Sequence, residues 1–193
     1  MILCSVIHIY SSSVLGLGFP ELADNHYDPF FYAAYQQRTP GFSSGVFAFY
    51  LTKGHSEFHI DGTGNPNLFD TKRIEYHSVV PLRHDDRLQP IYSNWMIGGG
   101  QLKITYKDDD GQVKTDVIAS GIRTIIDSGT DMILGPAEVV KRIYERIPFS
   151  QVIKNSVGLA DHVFPCNLPI EGKEFPKITF SWGGAEWDLS LDR

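Results

Sequence analysis

Thr124-Ile125-Ile126-Asp127-Ser128-Gly129-Thr130, with Asp131-Met132-Ile133-Leu134-Gly135-Pro136 directly behind it, is the most informative stretch of the 193-residue sequence. Two β-branched residues, expected to be buried at a strand end, deliver Asp127 into a tight turn. A glycine after a small hydroxyl residue lets the backbone fold back toward the carboxylate, where amide and hydroxyl groups can donate hydrogen bonds to it. A carboxylate held in this way is oriented and kept in a controlled protonation state. At average residue usage an Asp-Ser/Thr-Gly tripeptide arises by chance in roughly one chain in ten of this length, so the surroundings carry the signal. Here an apolar pair precedes the tripeptide and an apolar run follows it. A helix is then predicted after Gly135-Pro136, through Ala-Glu-Val-Val-Lys-Arg-Ile-Tyr-Glu-Arg-Ile up to Pro148, with Val139, Val140, Ile143, Tyr144 and Ile147 on one face.

Elsewhere short alternating runs dominate and predict strands: 45–52, 57–60, 73–81, 94–97, 102–106 and 113–119, then 178–182 and 185–191 around Gly183-Gly184. Lys107-Asp108-Asp109-Asp110-Gly111 reads as a solvated hairpin turn rather than a calcium loop, which needs further oxygen ligands and a closing Glu. Asp28-Pro29 before Phe-Phe-Tyr-Ala-Ala-Tyr-Gln-Gln predicts a second, shorter helix over 29–37.

A mainly β class follows, and 18 Gly with 11 Pro supply the turns it needs. The net charge of −6 comes with no basic cluster, which argues against nucleic acid or an anionic membrane as partner. The apolar stretch Ile2–Tyr10 is too short to span a bilayer. It fits a signal peptide's apolar region in length but not in its flanks. His55, His59, His77, His84 and His162, with Cys4 and Cys166, stand at no zinc-ligand spacing, so the histidines read as strand-surface or loop residues and no metal or organic cofactor is implied.

The order of these features resembles the pepsin-like aspartic proteases, peptidase family A1, over about residues 13–193. Val14-Leu15-Gly16-Leu17-Gly18-Phe19-Pro20 is similar to the family's Leu-Gly-Leu-Gly/Ala-aromatic-Pro near the end of its first lobe. The short helix follows in place, then a Phe-rich strand like Val46–Leu51, a hairpin like Glu57–Gly62, and a strand like Ile74–Leu82 leading into the second lobe. Asp127 then falls where the second catalytic aspartate stands, with Ser128, Gly129 and Thr130 forming its active-site turn. The resemblance implies a pepsin-like acid protease fold, a bilobal β-barrel present here in part. Its divisions would be 1–12 as an unmatched segment, 13–90 as the end of the N-terminal lobe with the interlobe strands, and 91–193 as the C-terminal lobe lacking its C-terminal end. It also implies aspartic endopeptidase activity on an extended polypeptide substrate and a secreted or vacuolar setting.

The departures matter as much. No second Asp-Ser/Thr-Gly occurs in the sequence, so the first catalytic aspartate is missing, as are the Tyr-bearing flap and the second apolar-apolar-Gly element expected behind Asp127. Since the mechanism needs two carboxylates sharing a proton, the chain is expected to be an inactive fragment, with exposed edges that favour self-association. Asp131 stands where the family usually has Ser or Thr, and reads as a tolerated turn residue. The family often pairs a cysteine at the position of Cys166 with one nearer its C-terminus, and no cysteine follows Cys166 here. Two rivals remain: a catalytically silent binding or inhibitor module on the same fold, against which the intact Asp127 motif argues, and a retroviral-type homodimer, against which the missing glycine element argues.

Overall fold

The computed structural model describes residues 15–23, 27–52, 54–130, 132–154 and 160–189. Asp131, Cys4, Val14 and the segment 1–12 lie outside them. The chain is mainly β and divides into two compact units at Met96/Ile97.

In the unit ending at Met96, α1 (Phe30–Gln36) starts one residue after Pro29, which itself takes the N-cap with extended backbone. Phe31 and Ala34 are its buried residues. Strands β1 (Phe47–Tyr50) and β2 (Glu57–Ile60), both expected as strands, pair with each other as an antiparallel hairpin, Phe47 with Ile60 and Tyr50 with Glu57. Aromatic rings make the core: Phe47 meets Phe31 at 4.9 Å and Trp95 at 5.3 Å between centroids, both edge-on, and Phe19 meets Trp95 at 4.6 Å. Tilted and edge-on pairs of this kind are preferred by the ring quadrupole. Trp95 is fixed further by its indole N–H, which donates to the Leu17 carbonyl at 2.8 Å.

The strand predicted over 73–81 does not form. Residues 71–73 are a 3₁₀ turn, and of the rest the Val80 amide donates to Met96 O at 2.7 Å, after which Pro81 has no N–H to continue a ladder. A two-residue ladder of β3 (Arg83–His84) with β4 (Pro90–Ile91) follows instead.

The second unit is built on a four-stranded sheet. β5 (Met96–Lys107) runs through the glycines 98–100 that read in sequence as a break between two strands. Gly100 has to be glycine, because a Cβ there would press on the Trp182 indole and lie 2.9 Å from Ile122 Cγ1. The turn at 108–112 is closed by Asp108, whose Oδ1 accepts from the amides of Asp110 (3.1 Å) and Gln112 (2.8 Å). It leads into β6 (Val113–Ile125), six residues longer than predicted. After α2 (Ala137–Tyr144) comes an unpredicted hairpin of β7 (Gln151–Lys154) with β8 (Ala160–Val163). β9 (Lys177–Trp182) and β10 (Ala185–Asp188) turn at Gly183-Gly184 as expected. The sheet order is β10-β9-β5-β6, which leaves β6 at an edge among the described residues.

Leu102 and Ile104 of β5, Ile118 of β6 and Ile178 of β9 form the core, with Val139 and Ile143 of α2 packed against it. The helix is also held by polar contacts. Arg142 donates from its guanidinium to the carbonyls of Ile118 and, at 3.1 Å, Val117, occupying acceptors that an edge strand would leave to water. Arg146 donates to Asp116 Oδ2 at 2.9 Å and lies over the Tyr106 ring. Strand β6 is thereby fastened to α2, and the turn carrying Asp127 lies between the two.

Candidate active site

Asp127 stands two residues beyond the end of β6, at the entrance to the turn of Ser128 and Gly129. Gly129 N–H donates to its Oδ1 at 2.8 Å and Thr130 Oγ1 donates to its Oδ2 at 2.8 Å. Each carboxylate oxygen thus has one fixed donor, and the plane of the group is set from both ends. Glycine leaves room at this approach, since a Cβ at Gly129 would lie 3.2 Å from Oδ1 and the carboxylate would have to shift by a few tenths of an ångström. Ser128 forms the turn, while the hydroxyl on the carboxylate is that of Thr130.

These bonds favour the charged form. Thr130's hydroxyl first, then Gly129's amide, hold the Asp127 carboxyl below the usual aspartate range, with slight burial opposing them. A depressed pKa contributes stability above aspartate's ordinary range, and that contribution is lost as pH falls through the folded value. Removing the first donor should therefore be visible directly. In Thr130→Ala, the Asp127 carboxyl followed by carbon NMR should titrate at higher pH than in the parent chain. An unchanged midpoint would show that the hydroxyl has no hold on it.

The two residues before Asp127 are not buried, although their pattern predicts burial. Ile125 and Ile126 are 47% and 55% exposed, and Asp127 is exposed with them. Their β-branched pattern fits a strand end, but neither joins the core around Ile104 and Ile118. Met132, Ile133 and Leu134 on the far side of the turn are 66%, 66% and 76% exposed. Asp127 therefore sits in an apolar surface, its two inner contacts made and its outer side open.

A cavity of about 740 Å³ lies elsewhere, at the opposite end of β6, lined among others by Lys107, Asp109, Arg146, Phe149 and Lys173. It includes none of residues 127–130. Among the described residues no group of three or more His, Cys, Asp or Glu side chains is placed to hold a metal ion. No described helix is long and apolar enough to cross a membrane. Cys166 is exposed.

Residues 4–193 match the family described as eukaryotic aspartyl protease, so the likeness begins upstream of Val14, where no motif marks it. "Aspartic protease 1" of Toxoplasma gondii is 32% identical over 174 residues, which is 84% of this chain and 24% of that protein. "Aspartic protease" of Phaffia rhodozyma is 26% identical over 182 residues, or 93% of this chain and 38% of that protein. Cathepsin D of Rattus norvegicus is 26% identical over 184 residues, with the same 93% and 38% coverage. The chain therefore spans between a quarter and two fifths of the length of these relatives.

Proposed function

The chain belongs to the eukaryotic aspartyl protease family, and on that premise we propose that Asp127 is one of the two catalytic carboxylates of an acid endopeptidase, and that this sequence, supplying only that one, does not hydrolyse peptides by itself. The observation that carries the reading is the doubly anchored carboxylate with its outer side open. In a two-carboxylate site one group takes a proton from a water as it attacks the peptide carbonyl carbon, and the other protonates the carbonyl oxygen. Two carboxylates a few ångströms apart cannot both ionise readily, so the pair titrates in two steps and holds an acid and a base together at acidic pH. Asp127, held below the usual aspartate range, has no second carboxyl here with which to share a proton.

In this reading residues 13–90 belong to the end of the N-terminal lobe and 91–193 to the C-terminal lobe. Ser128, Gly129 and Thr130 position the carboxylate. The substrate is an extended polypeptide, the setting is secreted or vacuolar, and the chemistry calls for no metal or organic cofactor. The test is complementation. Fusing the corresponding N-terminal segment and missing C-terminal elements of a relative onto this chain should create cleavage of denatured protein at acidic pH. A correctly folded fusion without activity would refute the role given to Asp127.

The apolar surface around the turn has a second consequence. Ile125, Ile126, Met132, Ile133 and Leu134 are each exposed, on either side of a turn that follows a strand at the sheet's edge among the described residues, a combination that favours association. Sedimentation velocity on the purified chain should show a mean mass that rises with concentration. A monomer across the whole range would contradict this.

A further inference from the structure

An aspartate can cyclise through the amide of the next residue, and it does so most readily before glycine, which puts no side chain in the way and turns freely. The sequence holds two Asp-Gly pairs, Asp61-Gly62 and Asp110-Gly111, and one Asp-Ser pair, Asp127-Ser128. The fold treats these carboxylates differently. Asp61 is held on both oxygens, since Ser43 Oγ donates to Oδ2 at 2.9 Å and the Ser44 amide donates to Oδ1. Asp127 is also held on both, by the Gly129 amide and the Thr130 hydroxyl. Within the turn at 108–112, Asp108 pairs with Lys114 at 2.7 Å and Asp109 with Lys173 at 3.1 Å. Asp110 is exposed at the tip, and among the described residues its carboxylate has neither a hydrogen bond nor an ion pair.

We propose that Asp110-Gly111, at the tip of the β5–β6 hairpin, is a site of spontaneous isoaspartate formation, set apart from Asp61-Gly62 by a carboxyl that no neighbour holds. In the reaction the Gly111 amide nitrogen attacks Cγ of the protonated Asp110 carboxyl. A C–N bond forms and the C–OH bond breaks. The hydroxyl leaves as water with the amide proton, closing a cyclic imide. Water then adds back to either imide carbonyl. Opening at Cγ restores aspartate, while opening at the α-carbonyl leaves the chain running through Cβ and Cγ with the α-carboxyl as a side group. The water lost is regained, and neither an oxidant nor a reductant takes part.

Gly111 has room for this step. Its φ of 76° is a left-handed value, and a Cβ there would meet nothing within 4 Å. One restraint must open, because the Gly111 amide donates to Asp108 O at 3.0 Å. Exposed turns open at low cost. At Asp61 the obstacle lies on the group under attack. Hydrogen bonds from Ser44 first and Ser43 second hold its carboxyl at about 2, so the protonated form that reacts is scarce. At Asp127 the anchored carboxylate is backed by the Ser128 side chain, which crowds the approach. Isomerisation at Asp110 adds one backbone carbon to the turn, between the amides of Asp110 and Gln112 that Asp108 Oδ1 now binds at 3.1 and 2.8 Å. The change therefore loosens the rim of the cavity that Asp108, Asp109 and Gly111 help to line, at the far end of β6 from Asp127.

The experiment is peptide mapping of the full chain after ageing in mildly acidic buffer, with electron-transfer fragmentation to tell isoaspartate from aspartate. Isoaspartate should build up at Asp110 at least about tenfold faster than at Asp61, as the scarcity of protonated Asp61 requires. In guanidinium, where the fold holds neither carboxyl, the two rates should converge. An isoaspartyl methyltransferase with a labelled methyl donor should mark the aged chain, and most of the label should disappear in Asp110→Glu, whose longer side chain closes an imide far less readily. Equal rates at Asp110 and Asp61 in the folded chain, or conversion of Asp110 only after unfolding, would overturn the proposal. So would a ratio that persists unchanged in guanidinium, because the local sequence and not the fold would then set it.

Discussion

Asp127→Asn, introduced into a two-carboxylate enzyme completed around this chain, is expected to lower kcat by at least about 10³-fold while leaving KM nearly unchanged. The substitution is isosteric, and the turn can accept it. The amide oxygen can take the Gly129 N–H that now reaches Oδ1, and the amide NH₂ can face Thr130, whose hydroxyl can turn to accept instead of donate. What is lost is chemical, because an amide neither ionises nor passes a proton at these pH values. Circular dichroism and unfolding midpoint should therefore match the parent enzyme while cleavage disappears. Retained activity would remove Asp127 from the reaction. A loss of fold together with activity would assign it a structural role.

Ile104→Ala should produce the largest loss of stability, about 3 kcal/mol, measured as a lower urea midpoint with an unchanged slope. Ile104 is 0% exposed and stands opposite Ile178 in the β5–β9 register, with Leu102 and Ile118 completing the cluster. Strands from both sides and the α2 side chains Val139 and Ile143 meet there, so a cavity has few ways to collapse. Ile126→Ala supplies the contrast. That residue is 55% exposed beside the catalytic candidate, and its truncation should change stability by no more than about 0.5 kcal/mol. Comparable losses at both positions would mean that the turn is packed far more tightly than its exposure indicates.

Much of the fold was legible because its punctuation is chemical. Pro29 and Pro136 each stand just before a helix, Asp108 through Gly111 close a hairpin, and Gly183-Gly184 turn β9 into β10. These signals are local, so no tertiary knowledge was needed to read them. The misses share the opposite character. Glycines 98–100 look like a break, yet β5 continues through them because β9 places Trp182 where a Cβ at Gly100 would stand. The β7–β8 hairpin escaped notice because all four residues of β7 are exposed, leaving no alternation to detect. The predicted strand over 73–81 had a plausible pattern, but Pro81 ended any ladder, and Tyr76, 83% exposed, packs into nothing that would impose one.

The site divides in the same way. Its turn geometry follows from Asp-Ser-Gly-Thr, and the Gly129 amide bond was foreseeable from the need for close approach. The choice of Thr130's hydroxyl rather than Ser128's depends on where the turn aims each side chain, which composition does not encode. The exposure of Ile125 and Ile126 was likewise hidden, since burial is a property of what packs from elsewhere in the chain.

If the Asp127 turn is half of a two-carboxylate site, an endopeptidase assay of the 193-residue chain by itself on denatured protein between about pH 3 and 6 will show it. No cleavage above the buffer blank is predicted at any pH in that range. Cleavage by the purified chain that disappears in Asp127→Asn would contradict the claim, because a single carboxylate would then be sufficient.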